Sequence, residues 1–184
     1  MVIEVEQKFR SLDSAELQRR LARLIAGPRE TIVQIDRYFA HPNRDFAQTD
    51  EALRLRREGS HNYITYKGPK LDRTTKTRRE IELRLPDDDA GANDSSELLL
   101  ALGFSPVLEV RKRRTHFMVA WQDRSVEVAL DEVEGLGSFV ELEIIAEPSD
   151  MDAARAVLAG LAAELGLANS ERRSYLELLI ERQG

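Results

Sequence analysis

The stretch Glu4-Val5-Glu6-Gln7-Lys8 near the start of the chain places an ionisable residue at every second position. On a β-strand, residues two apart point to the same face, so Glu4, Glu6 and Lys8 would project side by side. Two carboxylates and an ammonium on one face are suited to binding a metal ion and a phosphate. One such triplet is also typical of an ordinary solvated strand face, because exposed charge is the normal state in proteins.

The same spacing recurs along the chain, with apolar residues at the alternate positions. Arg54 and Arg56 alternate with Leu53 and Leu55, and further charged sets with this spacing are Lys76/Arg78/Glu80/Glu82, Arg111/Arg113 and Glu141/Glu143. An antiparallel sheet with one wet and one dry face does not require acids and bases together on every strand. The repetition therefore favours a sheet whose polar face is functional. If the sheet closes, these charges face one another across a narrow lumen.

Length and composition limit the classes of protein to consider. The 184 residues suit one domain, 1–184, which would bury roughly 70% of its unfolded surface. With 27 Lys+Arg and 33 Asp+Glu, the formal charge is −6, so no global field attracts nucleic acid or an anionic membrane. Cysteine is absent, which excludes thiolate metal sites and thiol nucleophiles. Without an apolar stretch of ~20 residues, we expect a cytoplasmic protein with neither a membrane nor a nucleic-acid partner.

Hydrophobic periodicity predicts an α+β fold with an antiparallel sheet or barrel. Strands are predicted near 2–10, 30–40, 51–58, 62–68, 74–85, 107–120, 124–131 and 138–147. Helices are predicted near 14–26, 93–102, 149–165 and 170–182. Gly135-Leu136-Gly137 is interpreted as a hairpin turn, because no phosphate-binding loop motif accompanies it.

A closed lumen lined with charges needs a compensating ligand, because desolvated charges cost several kcal/mol each when unpaired. A polyphosphate with a divalent metal would compensate both signs. Arginine and lysine side chains would bind phosphate oxygens, the candidates being Arg54, Arg56, Lys67, Lys76, Arg78, Arg111 and Arg113. Carboxylates would hold Mg²⁺ or Mn²⁺, the candidates being Glu4, Glu6, Glu141 and Glu143.

These residues resemble the CYTH proteins, or triphosphate tunnel metalloenzymes, and within them the class IV adenylyl cyclase group. The first motif matches the family's ExExK signature. The motifs in order are Glu4-Val5-Glu6-Gln7-Lys8, Ala52-Leu53-Arg54-Leu55-Arg56, Tyr66-Lys67-Gly68-Pro69, Arg78-Arg79-Glu80-Ile81-Glu82, Val110-Arg111-Lys112-Arg113, Leu130-Asp131-Glu132-Val133-Glu134-Gly135-Leu136-Gly137, Val140-Glu141-Leu142-Glu143 and Arg173-Ser174-Tyr175-Leu176. Because they span nearly the whole chain in the family's order, the resemblance is specific.

The resemblance implies a closed eight-stranded antiparallel tunnel with helices packed outside. It implies metal ligands at Glu4, Glu6 and Glu141, with Glu143 as a helper, and a catalytic role for these first three together with Lys8. The implied triphosphate-binding residues are Lys8, Arg54, Arg56, Lys67, Arg78, Arg111 and Arg113. Lys76, Glu80, Glu82, Asp131 and Arg173 complete the candidate set.

Two departures from the family pattern bear on the substrate. Thiamine triphosphatases of the family carry tryptophan where this chain has Ala52, which argues against a thiamine substrate. Related cyclases often have lysine where Arg111 stands. The resemblance implies conversion of ATP to cyclic AMP and pyrophosphate with Mg²⁺ or Mn²⁺. The alternatives are a triphosphatase and a non-catalytic polyphosphate-binding or nucleotide-binding module, and a homodimer is possible.

Overall fold

The computed structural model describes residues 3–11, 14–24, 30–70 and 78–183. The strands are Ile3–Arg10 (β1), Glu30–Ala40 (β2), Ala52–Glu58 (β3), His61–Lys70 (β4), Arg78–Leu85 (β5), Ser105–Trp121 (β6), Arg124–Val133 (β7) and Gly137–Ala146 (β8). They pair antiparallel in the order β1-β5-β4-β3-β2-β6-β7-β8, which closes into a barrel. The predicted α+β fold with a closed eight-stranded antiparallel barrel is confirmed. Positions 71–77, which include Lys76 and the start of one predicted strand, lie outside the described residues.

The helices lie outside the barrel or across one of its ends. They are Ser14–Ala22 (α1), Phe46–Thr49 (α2), Asp89–Ala101 (α3), Met151–Leu165 (α4) and Tyr175–Gln183 (α5), with a 3₁₀ turn at Pro148–Asp150. The short α2 was not predicted, because four residues are too few for a periodic pattern. It begins after Asp45, whose carboxylate accepts hydrogen bonds from the backbone of Ala47 and Gln48. The last helix begins five residues after its predicted start.

The main apolar core lies between the outer face of the barrel and the helices. Strand residues such as Val5, Val128 and Leu142 point outward and are fully buried against Leu158 and Leu161 of α4. Strand side chains alternate between faces, so the charged residues between these apolar ones point into the barrel. The packing of the helices thereby fixes which residues enter the lumen. Among the described residues, no helix is both long and apolar enough to cross a membrane.

The C-terminal helix α5 packs against the end of the barrel formed by the β7–β8 turn. Gly135 and Gly137 have φ angles of 76° and 92°, a backbone conformation that favours glycine, and the predicted hairpin turn is confirmed. A side chain at Gly135 would place its Cβ 3.3 Å from Leu179 of α5. Tyr175 and Leu178 join Phe139 and Val110 in a second buried cluster. This packing brings the first turn of α5 to the edge of the lumen.

A charged tunnel as the candidate active site

The interior of the barrel contains a cavity of about 880 Å³, referred to below as the tunnel. Glu4, Glu6 and Lys8 of β1 all line it. The pairing of β1 with β8 sets Glu6 opposite Glu143 and Lys8 opposite Glu141, and both glutamates also line the tunnel. The residues of the first motif therefore share one face and meet residues that are more than 130 positions away in sequence.

Within the described ranges, seven lysine and arginine side chains converge on the tunnel from five strands. They are Lys8, Arg54, Arg56, Lys67, Arg78, Lys112 and Arg114. Lys8, Arg54, Arg78 and Lys112 are buried. The structure thus places Lys8, Arg54, Arg56, Lys67 and Arg78 where the sequence predicted them. Lys67 lies 2.5 Å from Glu80, and burial together with the charge of Arg54 lowers the pKa of the Lys67 ammonium.

The prediction that Arg111 and Arg113 face the lumen is wrong. Their side chains are 52% and 61% exposed and pair with Glu109 and Glu132 on the outer surface. Lys112 and Arg114 enter the tunnel instead. A run of four consecutive basic residues does not reveal which alternate pair points inward.

The orientation of the basic run is set by apolar residues further along β6. Phe117 and Val119 are buried in the outer core, which turns the odd-numbered residues of this strand from Arg111 onward outward. The lysine of this basic run that reaches the tunnel is Lys112.

The remaining candidates divide between the tunnel wall and the outer surface. Glu80 and Glu82 line the tunnel. The prediction that the Arg173 side chain belongs to the site is wrong. Its guanidinium pairs with Glu171 and Glu181 outside the tunnel. The backbone carbonyl of Arg173 accepts a 2.5 Å hydrogen bond from Lys8. Among the contacts described, Arg173 therefore reaches the site only through its main chain.

Asp36 was missed from the sequence, although it anchors two tunnel arginines. Its carboxylate accepts bonds of 2.7 and 2.8 Å from Arg56 and one of 3.3 Å from Arg54. Burial alone would raise the pKa of Asp36, but the two guanidinium charges outweigh burial and hold it well below its usual range. The sequence signal for Asp36 was its position on β2, where it faces inward and pairs with Arg56 of β3.

Asp131 of β7 has the same function for the cations of β6. Its carboxylate accepts bonds from Arg114 at 2.6 and 2.7 Å, from Lys112 at 3.2 Å and from the hydroxyl of Tyr175 at 2.8 Å. Burial raises the pKa of Asp131, but the charges of Lys112 and Arg114 outweigh burial, so the net shift is downward. Asp131 is completely buried behind the tunnel wall and ties two cations to α5.

Glutamates gather on the wall beside β1 and β8. Burial, followed by repulsion from Glu4, Glu6, Glu127 and Glu141, raises the pKa of Glu143 to about 8. Burial and the nearby Glu80 also raise the pKa of Glu4. Glu141 forms an ion pair with Arg114. This part of the tunnel therefore carries an unfavourable accumulation of negative charge.

These carboxylates fit a hard divalent cation by their chemistry. Their oxygens are the ligands that Mg²⁺ and Mn²⁺ prefer, and a cation would relieve the repulsion that raises the pKa of Glu143. As the side chains stand, no three acidic or histidine residues within the described ranges are close enough together to hold an ion. Loading the site would therefore require rotamer changes of the glutamates.

Two buried atoms on the tunnel wall also lack partners. Nε of Arg54 and Oε1 of Gln34 make no hydrogen bond within the described part of the chain. Buried polar groups are almost always paired, so such atoms in a cavity indicate that a ligand or water completes them.

The comparison with known proteins agrees with this geometry. The model of the CYTH domain matches residues 2–175, and the chain belongs to the CYTH family. A relative named "Putative adenylate cyclase MJ0240", from Methanocaldococcus jannaschii, is 36% identical over 96% of this chain and 98% of its own. "Adenylate cyclase CyaB" from Aeromonas hydrophila is 32% identical, over 95% of this chain and 87% of its own.

Solved structures share the barrel. The structure of the PH1819 protein from Pyrococcus horikoshii has a TM-score of 0.85 and 41% identity, covering 97% of this chain and 99% of its own. The structure of a Hippeastrum protein has a TM-score of 0.64 and 20% identity, and the match covers 100% of this chain and 96% of the Hippeastrum chain. That protein is described as a "putative adenylyl cyclase" that reveals a dominant triphosphatase activity. At that identity the likeness concerns the fold.

We predict that Asp131→Asn destabilises the protein by about 3–5 kcal/mol, because two buried cations lose their counter-charge. Folding lowers the pKa of Asp131 below its ordinary 3.8, so its contribution is complete above that pH and is lost as pH falls through the folded pKa. Urea unfolding between pH 3 and 7 should therefore show a smaller acid-dependent loss in the variant than in the wild type. Asp94→Asn on the exposed face of α3 is the control, and equal effects of the two substitutions would contradict the anchoring role.

We predict that the metal-free wild type loses stability relative to Glu143→Gln as pH rises from about 5 to 9. The folded pKa of about 8 lies above the ordinary 4.5, so folding is opposed once Glu143 must ionise. Added Mn²⁺ should reverse the order, because the ionised carboxylate gains a partner. Thermal unfolding in EDTA and in Mn²⁺ measures both effects, with the exposed Glu132→Gln as control. A difference between wild type and Glu143→Gln that does not change with pH would refute the repulsion.

Proposed function

We propose that this protein is a metal-dependent enzyme that acts on a triphosphate inside the tunnel, with adenylyl cyclase as the leading candidate. The observation that supports the proposal most is the convergence of seven cations from the described strands and a group of glutamates on one cavity. Membership of the CYTH family and the names of the two relatives agree with it. The product would be cyclic AMP, with pyrophosphate as the leaving group.

The cations would hold the phosphate chain by charge-assisted hydrogen bonds. Arginine offers two parallel donors to a phosphate, whereas lysine acts as a compact point charge. Arg54 and Arg56 of β3 are already oriented by Asp36, and Arg114 of β6 is oriented by Asp131. Preorganised donors need no reorganisation when charge develops on the transferring phosphorus and on the leaving group. The unpartnered Nε of Arg54 offers an additional donor.

A metal ion would be held by Glu4, Glu6 and Glu143, because these carboxylates face one another and repel. When bound, Mg²⁺ or Mn²⁺ would supply Lewis-acid stabilisation of phosphate oxygens. Glu141, also predicted as a ligand, is engaged by Arg114 here, so its first role would be to orient that cation. Phosphoryl-type transfer depends mainly on positioning and charge, so cyclisation requires no covalent nucleophile from the protein.

A triphosphatase is the second candidate. The same cations and carboxylates would bind the substrate, and water rather than the ribose 3′-hydroxyl would be the nucleophile. The Hippeastrum protein with this fold is described by a dominant triphosphatase activity, so the fold alone does not select between the two reactions. The position of the nucleophile relative to the phosphorus atoms decides the outcome.

We predict that Arg114→Gln lowers kcat/KM for the triphosphate substrate by about 100-fold, because it removes a preorganised donor. Arg113→Gln, at the neighbouring outward-facing position, should change it less than twofold. Steady-state kinetics with Mg²⁺ or Mn²⁺ measures both variants, and circular dichroism checks that each is folded. Equal losses in the two variants would contradict the inward assignment of Arg114.

We expect cyclic AMP and pyrophosphate when the protein is incubated with ATP and Mn²⁺, and loss of turnover in Glu6→Gln with the fold retained. Chromatographic separation of the products, alongside incubation with inorganic triphosphate, measures the outcome. Formation of orthophosphate without cyclic AMP would contradict the cyclase assignment and support the triphosphatase. Stabilisation by ATP with no turnover at any metal concentration would show that the protein is a non-catalytic binding module.

A further inference from the structure

Tyr175, the first residue of α5, presents its ring to two lysines of the tunnel. Nζ of Lys8 lies over the ring at 4.0 Å from its centroid, and Nζ of Lys112 lies over it at 5.1 Å. All three residues are buried and line the tunnel. An aromatic ring within about 6 Å attracts a cation through its quadrupole, and the attraction is stronger where water is excluded.

Three contacts fix the orientation of this ring. The hydroxyl of Tyr175 donates a 2.8 Å hydrogen bond to the buried Asp131. Phe139 packs edge-on against the ring at a centroid distance of 5.0 Å. Ser174 and Glu177 form a capping box at the start of α5, because the backbone N–H of each donates to the side chain of the other, at 2.5 and 3.1 Å. The ring is therefore held in one position relative to the barrel.

The segment that leads into α5 is attached to β1 at Lys8 itself. The backbone N–H of Glu171 donates a 2.6 Å hydrogen bond to the carbonyl of Lys8, and Ser170 forms an isolated bridge with Phe9. The ammonium of Lys8 in turn donates to the carbonyl of Arg173 at 2.5 Å. The residues that precede α5 therefore hold Lys8 by both its main chain and its side chain.

An aromatic ring holds a cation differently from a carboxylate. Asp131 offsets part of the positive charge of Lys112 and Arg114, with which it pairs. A neutral ring has no net charge, so a lysine that it holds keeps its full charge towards an anion. Burial, followed by the charges of Glu141 and Asp131, raises the pKa of Tyr175 well above its usual value, so this ring stays neutral.

We propose that Tyr175 is a positioning residue of the phosphate site, whose ring holds Lys8 and Lys112 in place without cancelling their charge. On this account α5 is part of the anion-binding wall as well as of the outer packing. Without the attraction of the ring, the two lysines could adopt other rotamers and would have to be ordered again when a phosphate chain binds. This inference rests on the proposed function and adds a residue to its binding site.

The test changes the electrostatics of the ring and keeps its shape. Trifluorophenylalanine at position 175 withdraws electrons from the ring face and weakens its attraction for cations, whereas Tyr175→Phe keeps that attraction and removes only the hydroxyl. Relative to Tyr175→Phe, we expect the fluorinated protein to bind inorganic triphosphate with a Kd about fivefold higher. Calorimetry in EDTA measures Kd, and steady-state kinetics with Mn²⁺ gives the corresponding change in KM. Circular dichroism checks that each variant is folded.

The matched control is the same fluorinated ring at Phe117, which is buried in the outer core. It should change the Kd less than about twofold, because the attraction acts only on cations near the ring.

A double-mutant cycle shows whether the effect of the ring acts through the lysines. In a Lys112→Met background, fluorination at position 175 should raise the Kd only about twofold, because one of the two ring contacts has been removed. Lys67→Met is the matched background, since Lys67 also lines the tunnel but its ammonium contacts Glu80 at 2.5 Å. There the effect of fluorination should remain about fivefold.

Three results would each overturn the positioning role. They are an unchanged or lower Kd in the fluorinated protein, an equal loss with the control ring at Phe117, and an equal effect of fluorination in the two lysine backgrounds. In each case, binding and turnover by the wild type would leave the proposed function intact. A wild type that neither binds nor converts inorganic triphosphate or ATP would overturn the proposed function instead.

Discussion

The pairing of buried aspartates with tunnel cations is the interaction on which the rest of the structure depends. A barrel interior with several unpaired lysines and arginines would be strongly destabilised, since desolvated ions cost several kcal/mol each. Asp36 and Asp131 each pair with two of these cations and stay ionised because of them. The remaining donors of the same side chains still face the cavity. Each aspartate therefore makes the barrel stable and leaves an anion-binding surface on its wall.

Charge is divided along the tunnel rather than balanced at each point. Cations meet in the centre, while glutamates from β1 and β8 accumulate nearby and raise the pKa of Glu143. A bound triphosphate would offset the excess positive charge of the lysines and arginines. Its divalent cation would offset the excess negative charge of the glutamates. The fold and the proposed substrate are connected by this division of charge.

Most of the fold was predictable because strand alternation is a local property. Leu53 and Leu55 pack outward while Arg54 and Arg56 point inward, and this pattern alone identified the functional face. The phase of β6 was not predictable from its basic run, since four charged residues in succession fit either face. Only the burial of Phe117 and Val119 under α4 decides it, and that contact depends on the tertiary structure. Asp36 was missed for a related reason, because its importance comes from a cross-strand neighbour.

The most direct measurement is a crystal structure with a non-hydrolysable ATP analogue and Mn²⁺. We expect the phosphates to contact Arg54, Arg56, Lys112 and Arg114, and the ion to be bound by Glu4, Glu6 and Glu143. Phosphates bound outside the barrel, at Arg111 and Arg113, or an ion bound away from these glutamates, would contradict the assignment of the tunnel as the active site.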